Sequence, residues 1–255
     1  MNQSINVFMF SGPGTQYPSM GRQLSRLGKV FKSRLQTMDD LAGDHLDFSV
    51  LEYLAKAARE PLTPFDRTLV THTVIFMLEL AAADEPREAG VEPGITLGTG
   101  LGTFAAGTVA GIISPGDALA AVIRQVRTIE QTCVRGAMVA ILGDTRVERP
   151  PFRAMALDVA AYNFVGSIVV SVPELQVNEL LCALKTNAIP SQRLPVSHAF
   201  HSRWIDPARG YRDYLQGLLR PQDRSPLACC ANVALTDRPT RSCGTWCANL
   251  LGSSK

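Results

Sequence analysis

The sequence predicts an α/β fold with two parts, and three of its stretches indicate this. Residues 5–10 form an alternating β-rich run that ends in the loop Ser-Gly-Pro-Gly-Thr-Gln of residues 11–16. Residues 94–107, GITLGTGLGTFAAG, join a short apolar strand to a small-residue helix through a glycine turn. From Gly136 the pattern changes to strands around a single helix. We therefore expect a larger α/β domain with a mostly parallel sheet and a small inserted α+β domain.

The larger domain is expected to comprise residues 1–132 and 203–255. Apolar residues spaced three and four apart predict its helices, and short β-rich runs predict its strands. Asp117 is the predicted N-cap of the helix before the insert. After the first strand the expected elements are helices over 20–41, 69–80, 103–113, 117–132 and 207–219, with strands over 95–97 and near 229–233.

The insert, residues 133–202, has the order of a ferredoxin-like domain whose first helix is shortened. The Pro150-Pro151 pair lies where that helix would be, and proline breaks helices. Its expected elements are strands over 137–142, 154–161, 167–172 and 192–196 and a helix over 173–185.

Composition excludes several classes of protein. Hydrophobic residues make up 46% and charged residues 19% of the 255, which predicts a packed core. A net charge of +2 argues against a nucleic-acid partner. No apolar run approaches the roughly 18 residues of a membrane span, and the N-terminus lacks the basic region of a signal peptide. These features predict a cytoplasmic protein without membrane contact.

The six cysteines are irregularly spaced, unlike a disulfide framework. Cys243 and Cys247 could supply half of a zinc site, but no second pair with ligand spacing accompanies them. We therefore expect reduced thiols and no metal.

The glycine turn has the outline of a nucleophile elbow. Such a turn carries Gly-x-Ser-x-Gly between a strand and a helix, with the serine at its tip. Here the turn is Gly98-Thr99-Gly100-Leu101-Gly102, so Gly100 stands at the nucleophile position.

Four motifs occur in a characteristic order. Residues 8–22 are similar to F-x-F-P-G-Q-G-x-Q-x-x-x-M-G, and residues 98–114 align without gaps on G-H-S-x-G-E-Y-x-A and a V-A-G-x-x-S ending. Residues 194–202, LPVSHAFHS, match a histidine motif, and Ala-Asn-Val at 231–233 resembles S-N-V-T-G. The chain thus resembles the malonyl-CoA:acyl-carrier-protein transacylases and the acyltransferase domains of polyketide and fatty acid synthases. This resemblance implies the acyltransferase fold, with the site in a cleft between the two domains.

The resemblance also implies the reaction and its residues. In the family, the elbow serine takes an acyl group from coenzyme A and passes it to the phosphopantetheine of a carrier protein. His201 corresponds to the general base, and His198 and Phe200 to the malonyl-selective pattern. Leu101 and Pro13 occupy the positions whose backbone N–H groups form the oxyanion hole. The implied ligand is a coenzyme A thioester or a phosphopantetheine; no cofactor is expected.

Several of these positions depart from the family pattern. Gly100 has no side chain to acylate, and Thr99 and Thr103 replace a histidine and a glutamate. Pro13 has no N–H, and losing one oxyanion donor costs about 10²–10³ in rate. Together these changes predict that transacylase chemistry is lost.

Gln125 stands where the family has the arginine that pairs with the malonyl carboxylate. Arg124 and Arg127 flank it, but successive helical residues are about 100° apart, so both should point to other faces. A neutral Gln125 would suit an acyl chain without a carboxylate.

Two functional hypotheses remain open. The first is a non-catalytic module that binds an acyl carrier protein or a polyketide synthase component. The second is an active acyltransferase or acyl hydrolase with another nucleophile. Thr99, Thr103 and Cys133 are the hydroxyl and thiol candidates, and each is poorly placed in the sequence.

The family continues with one more helix and a strand beyond the segment that contains Trp246. Their absence would expose a sheet edge and an apolar groove, so we expect homo- or hetero-oligomers.

Overall fold

The computed structural model describes residues 5–60, 65, 67–143, 147, 149–218, 227–229 and 232–236. Contacts within the chain define two compact units. The larger unit contains the described residues up to Arg127 and from 212 onward, and the smaller unit contains Thr128–Tyr211. The expected domain limits, 132/133 and 202/203, stay predictions. The C-terminal segment on which the oligomer prediction depends lies outside the described residues.

The elements follow one another along the chain as β1 (Val7–Phe10), α1 (Arg22–Leu27), α2 (Lys29–Gly43), α3 (Val50–Arg59), α4 (Thr68–Glu88), β2 (Ile95–Gly98), α5 (Gly102–Val109), α6 (Pro115–Thr132), β3 (Gly136–Leu142), β4 (Asp158–Phe164), β5 (Ser167–Pro173), α7 (Val177–Thr186), β6 (Ser191–Arg193), α8 (Tyr211–Leu218), β7 (Leu227–Cys229) and β8 (Asn232–Thr236). Short 3₁₀ helices occupy Phe152–Ala154, Glu174–Gln176 and Arg203–Gly210.

The sheet of the larger unit has the order β1-β2-β7-β8. β1 and β2 run parallel, as do β2 and β7, whereas β7 and β8 are antiparallel. The expectation of a mostly parallel sheet is therefore confirmed. Where one strand was expected near residues 229–233, the structure has the two strands β7 and β8.

The first predicted helix, residues 20–41, is in fact two helices separated at Gly28. The Gly28 backbone is extended, which ends α1 and lets α2 begin at Lys29. A Cβ at Gly28 would lie 2.0 Å from Glu85 Oε1, and that oxygen accepts the Phe31 N–H at 2.6 Å. The carboxylate from α4 thus satisfies a free N–H at the start of α2. This partner is 54 residues away in sequence, so no local pattern indicates it.

Two helix starts also differ from expectation. α3 was not predicted, although Ser49 caps it by accepting the Glu52 N–H at 3.1 Å, which is half of a capping box. The helix α6 begins at Pro115, and Ser114 Oγ accepts the Asp117 N–H at 3.1 Å. Ser114 is therefore the cap, and the prediction of Asp117 as N-cap is wrong. Proline at the first helical position fits, since its missing N–H would be unpaired there anyway.

The smaller unit contains the antiparallel sheet β4-β5-β3-β6 and the helix α7. This strand order is ferredoxin-like, with the 3₁₀ turn Phe152–Ala154 in place of the first helix. β4 begins at Asp158 and not at residue 154, because the turn includes Ala154 and residues 155–157 form an irregular link after it. The buried core of this unit packs α7 against β3 and β5.

Candidate functional site

The turn between β2 and α5 keeps the geometry of a nucleophile elbow. Gly100 lies at its tip with φ of 52°, in the left-handed region that glycine adopts at low cost. The flanking glycines are required by packing: a Cβ at Gly98 would lie 2.5 Å from Thr103 Cα, and one at Gly102 would lie 2.4 Å from Phe10 O. The helix and the turn therefore approach β1 and β2 more closely than any side chain would allow.

The glycine loop after β1 lies directly against this turn. The Thr99 N–H donates to Phe10 O at 3.2 Å, and a Cβ at Gly12 would lie 3.1 Å from Thr99 O and 4.0 Å from Leu101 N. The structure thus brings the loop that carries Pro13 together with the elbow. Among the described residues, the Leu101 N–H has no hydrogen-bond acceptor. The Leu101 N–H is thus available as the oxyanion donor that the resemblance implies, and Pro13 has no N–H; the oxyanion hole itself stays a prediction.

A carboxyl from α4 fixes the start of the same loop. Glu79 Oε1 accepts the Ser11 N–H at 2.5 Å and the Ser11 hydroxyl at 2.9 Å. Glu79 Oε2 is buried with no hydrogen-bond partner among the described residues. Burial raises the pKa of Glu79 to about 7, against the lowering effect of the Ser11 hydrogen bonds. No sequence motif singles out Glu79, although an acidic side chain within the apolar sequence of α4 is unusual.

Gln125 is buried in α6, as its place in an apolar helix face suggests. The two neighbouring arginines are engaged elsewhere on the larger unit. The guanidinium of Arg124 lies 3.9 Å from the centre of the Tyr214 ring, and Arg127 donates to His45 O at 2.5 Å. The expectation that neither arginine takes the place of Gln125 is consistent with both contacts.

The histidine motif belongs to the smaller unit. His198 is buried, its Nδ1 lies 3.1 Å from Ser197 Oγ, and its ring centre is 6.1 Å from that of Phe200. Burial lowers the pKa of His198, and the nearby positive charge of Arg135 lowers it further. His198 is therefore a neutral, packed side chain.

His201 is half-buried and has an unusual backbone, with φ of 57°. Burial lowers the pKa of His201 below the ordinary value of 6.5, so its imidazole is neutral at pH 7 and can accept a proton. Positive φ is uncommon in residues other than glycine, and such residues cluster at functional sites.

The other hydroxyl and thiol candidates have the following environments. Thr99 is exposed, and Thr103 is buried in the first turn of α5. Cys133 is half-buried in the smaller unit, where its thiol lies 3.8 Å from Ile205 O. Gly100 and Leu101 belong to the larger unit and His201 to the smaller one, so a joint site stays a prediction.

Comparison with known proteins decides the family. Residues 7–242 match the family model described as the acyl transferase domain. The chain belongs to the acyl transferase domain family. In the described part of this acyl transferase chain, no helix has both the length and the hydrophobicity to cross a bilayer.

Among its relatives is the polyketide biosynthesis acyltransferase homolog BaeD of Bacillus velezensis, 36% identical over 227 residues, which are 89% of this chain and 69% of BaeD. The homolog PksD of Bacillus subtilis is 34% identical over 219 residues, 85% of this chain and 67% of PksD. The crystal structure of the acyltransferase domain from the second module of the salinomycin polyketide synthase matches with a TM-score of 0.78 at 28% identity, covering 99% of this chain and 58% of that one. The chain thus spans about two thirds of the Bacillus relatives and less than two thirds of the salinomycin chain. The resemblance and the acyltransferase fold are both confirmed.

Proposed function

We propose that this acyl transferase family member is a component of a cytoplasmic polyketide pathway that binds acyl thioesters without forming an acyl-enzyme at its elbow. The family membership and the names of the two Bacillus relatives support the pathway. The ligand would be the phosphopantetheine arm of an acyl carrier protein, or the same arm in coenzyme A. The partner would be a carrier protein or a polyketide synthase component.

One observation carries this proposal: glycine occupies the tip of an elbow whose geometry is otherwise retained. Covalent acyl transfer needs an activated nucleophile at that point, and Gly100 has no side chain to supply one. Thr99 is exposed and Thr103 is buried inside α5, so neither hydroxyl stands at the tip. A bound thioester would therefore remain a ligand.

Two other positions that the family resemblance assigns to the site support the same conclusion. Pro13 provides no N–H to a developing oxyanion, which leaves the Leu101 N–H as the single donor expected from this pair of positions. Gln125 is neutral, so it cannot pair with the free carboxylate of a malonyl group as an arginine would. The site therefore favours acyl groups that lack a carboxylate over malonyl.

Intact-mass measurement tests the absence of an acyl-enzyme. The purified chain is incubated with malonyl-CoA or acetyl-CoA, with His201→Ala and Gly100→Ser as matched variants. We expect no mass gain in the unmodified protein, because no nucleophile lies at the elbow. A gain equal to one acyl group that disappears in His201→Ala would overturn the proposal.

Calorimetry tests binding separately. Acetyl-CoA, malonyl-CoA and a holo-acyl carrier protein of a polyketide synthase are titrated into the chain. We expect saturable binding, with acetyl-CoA tighter than malonyl-CoA, because Gln125 offers no charge to the malonyl carboxylate. Absence of binding to all of them would contradict a thioester-binding role.

A second candidate function is thioester hydrolysis, which the neutral state of His201 favours. In that reaction His201 would take a proton from water as the oxygen attacks the thioester carbonyl. The carbon–sulfur bond would then break, and the proton would pass to the leaving thiolate. Release of free thiol from acetyl-CoA, lost in His201→Ala, would identify this activity even if no acyl-enzyme accumulates.

A further inference from the structure

The backbone at His201 is held in a conformation that a histidine does not prefer. For a residue with a Cβ, the left-handed region costs roughly 1–2 kcal/mol. Such a conformation persists only where the surrounding structure fixes the neighbouring residues. The contacts of the residues on both sides of His201 therefore show what holds this backbone conformation.

The residue before His201 is held by Ser171 of β5. The Ser171 hydroxyl is buried and donates to the carbonyl oxygen of Phe200. A buried serine in the middle of a strand is otherwise an unfavourable choice, because its hydroxyl needs a partner. Here that partner is the peptide group that joins Phe200 to His201.

The second residue after His201 is held by Asp158 of β4. Asp158 Oδ2 accepts the Arg203 backbone N–H at 2.8 Å and the Arg203 Nε–H at 3.2 Å, while Oδ1 accepts from Arg203 Nη2 at 2.7 Å. The side chain of Asp158 is 21% exposed and that of Arg203 60% exposed. An exposed ion pair alone contributes little, but the bond to the backbone N–H restrains the chain itself.

Asp158 and Ser171 are direct partners in the antiparallel pair of β4 and β5. Side chains of directly opposed residues point to the same face of a sheet. The two residues thus hold the chain from one face, on the N-terminal side of His201 through Ser171 and on the C-terminal side through Asp158. The side chain of Ser202 adds a local contact, because its hydroxyl donates to Ala199 O.

We infer that Asp158 and Ser171 form a clamp that positions His201, keeping its backbone left-handed and its imidazole in a fixed orientation. Both are positioning residues, since they act on His201 through the adjacent peptide groups. The inference rests on the proposed function, as it concerns how His201 would be presented to a thioester ligand. All of the contacts that carry it lie within the smaller unit.

NMR on the full chain, with isotope-labelled histidines, tests the clamp. The four histidines give separate signals, and His201→Gln assigns the signal of interest. The Cα chemical shift of His201 reports its backbone conformation, and a pH titration reports the pKa of its imidazole. The variants are Asp158→Ala, Asp158→Asn and Ser171→Ala, with Glu174→Gln as the control, because it weakens an exposed ion pair to Arg193 in the same unit.

In Asp158→Ala and Ser171→Ala we expect the His201 Cα shift to leave the left-handed range and the pKa of His201 to move toward 6.5. Asp158→Asn should restore both values, because its amide oxygen still accepts the Arg203 N–H. Glu174→Gln should change neither. Unaltered His45 and His72 signals show that the larger unit is intact, and an unaltered circular dichroism spectrum shows in each case that the smaller unit stays folded.

An unchanged Cα shift and pKa of His201 in folded Asp158→Ala would overturn the clamp. If Ser171→Ala does not fold, the partly exposed Asp158 site still decides the question. These measurements use the free protein. Failure to bind thioesters would therefore refute the proposed function and leave the clamp standing. Unchanged His201 signals in Asp158→Ala would refute the clamp and leave the proposed function standing.

Discussion

Glu79 should make the stability of the protein depend on pH in a direction opposite to that of most carboxyl groups. Its pKa is raised from 4.5 to about 7 in the folded protein. Between these values the unfolded chain has lost the proton and the folded chain still holds it. Unfolding therefore becomes easier as pH rises through this window, and the separation of the two pKa values corresponds to about 3 kcal/mol.

The physical cause lies in the two oxygens of the carboxyl group. Oε1 is satisfied by Ser11, but Oε2 is buried without a described partner, so an ionised Glu79 has an unsolvated oxygen. Glu79→Gln keeps an oxygen that can accept from Ser11 and is neutral at every pH. We therefore expect the variant to match the wild type near pH 4.5 and to exceed it by up to about 3 kcal/mol above pH 7.

Urea unfolding at pH steps between 4.5 and 8, followed by circular dichroism, measures this difference directly. Glu130→Gln removes an exposed carboxyl on α6 and should follow the wild type throughout. Equal pH slopes for wild type and Glu79→Gln would refute the reasoning, because they would mean that folding leaves the proton affinity of Glu79 unaltered.

Two further predictions concern the elbow. Gly102→Ala should lower the free energy of unfolding by about 1–3 kcal/mol, since its Cβ would overlap Phe10 O at 2.4 Å. Gly116→Ala on α6, where a Cβ meets nothing within 4 Å, should be neutral or stabilising by up to about 1 kcal/mol. Thermal unfolding of both variants checks this, and equal losses would contradict the packing argument. Gly100→Ser alone should restore little acyl transfer, because Pro13 and Gln125 remain. The combined variant Pro13→Gln, Thr99→His, Gly100→Ser, Gln125→Arg should exceed the sum of its single changes in a malonyl-transfer assay, since catalytic groups act as a unit. Additive gains would indicate that these positions do not share a site.

Local patterns were enough to predict much of this fold. The elbow follows from a short apolar strand, closely spaced glycines and a small-residue helix, and each of these signals lies within residues 94–107. The succession of strands and one helix along the smaller unit likewise follows from short apolar runs, with the Pro150-Pro151 pair where the first helix would be. Family motifs then pointed to His201 as the base and to Gly100 as the nucleophile position, which local physics alone would not single out; both assignments stay predictions.

What the sequence did not predict depends on partners that are far apart along the chain. Next to the break at Gly28 the Phe31 N–H donates to Glu85, and at the start of the glycine loop the Ser11 N–H donates to Glu79, 68 residues away. The clamp on His201 joins residues 45 positions apart, from Asp158 to Arg203. In each of these contacts a backbone N–H donates to the carboxyl group of a residue far away in sequence. Spacing rules for helices and strands contain no information on such contacts.

The elbow and the segment 194–202, which contains His201, support different arguments about function. Gly98 and Gly102 are required by close backbone contacts with the neighbouring residues, so the fold maintains the turn whether or not a serine stands at its tip. Gly100 adopts its positive φ without strain, and the elbow shape is thus no evidence for chemistry there. His201 adopts a similar φ with a side chain that makes it costly, and Ser171 and Asp158 offset that cost with hydrogen bonds to the adjacent backbone. A glycine would give the same backbone at lower cost. The imidazole of His201, rather than the elbow, is accordingly the first group to examine for contact with a thioester.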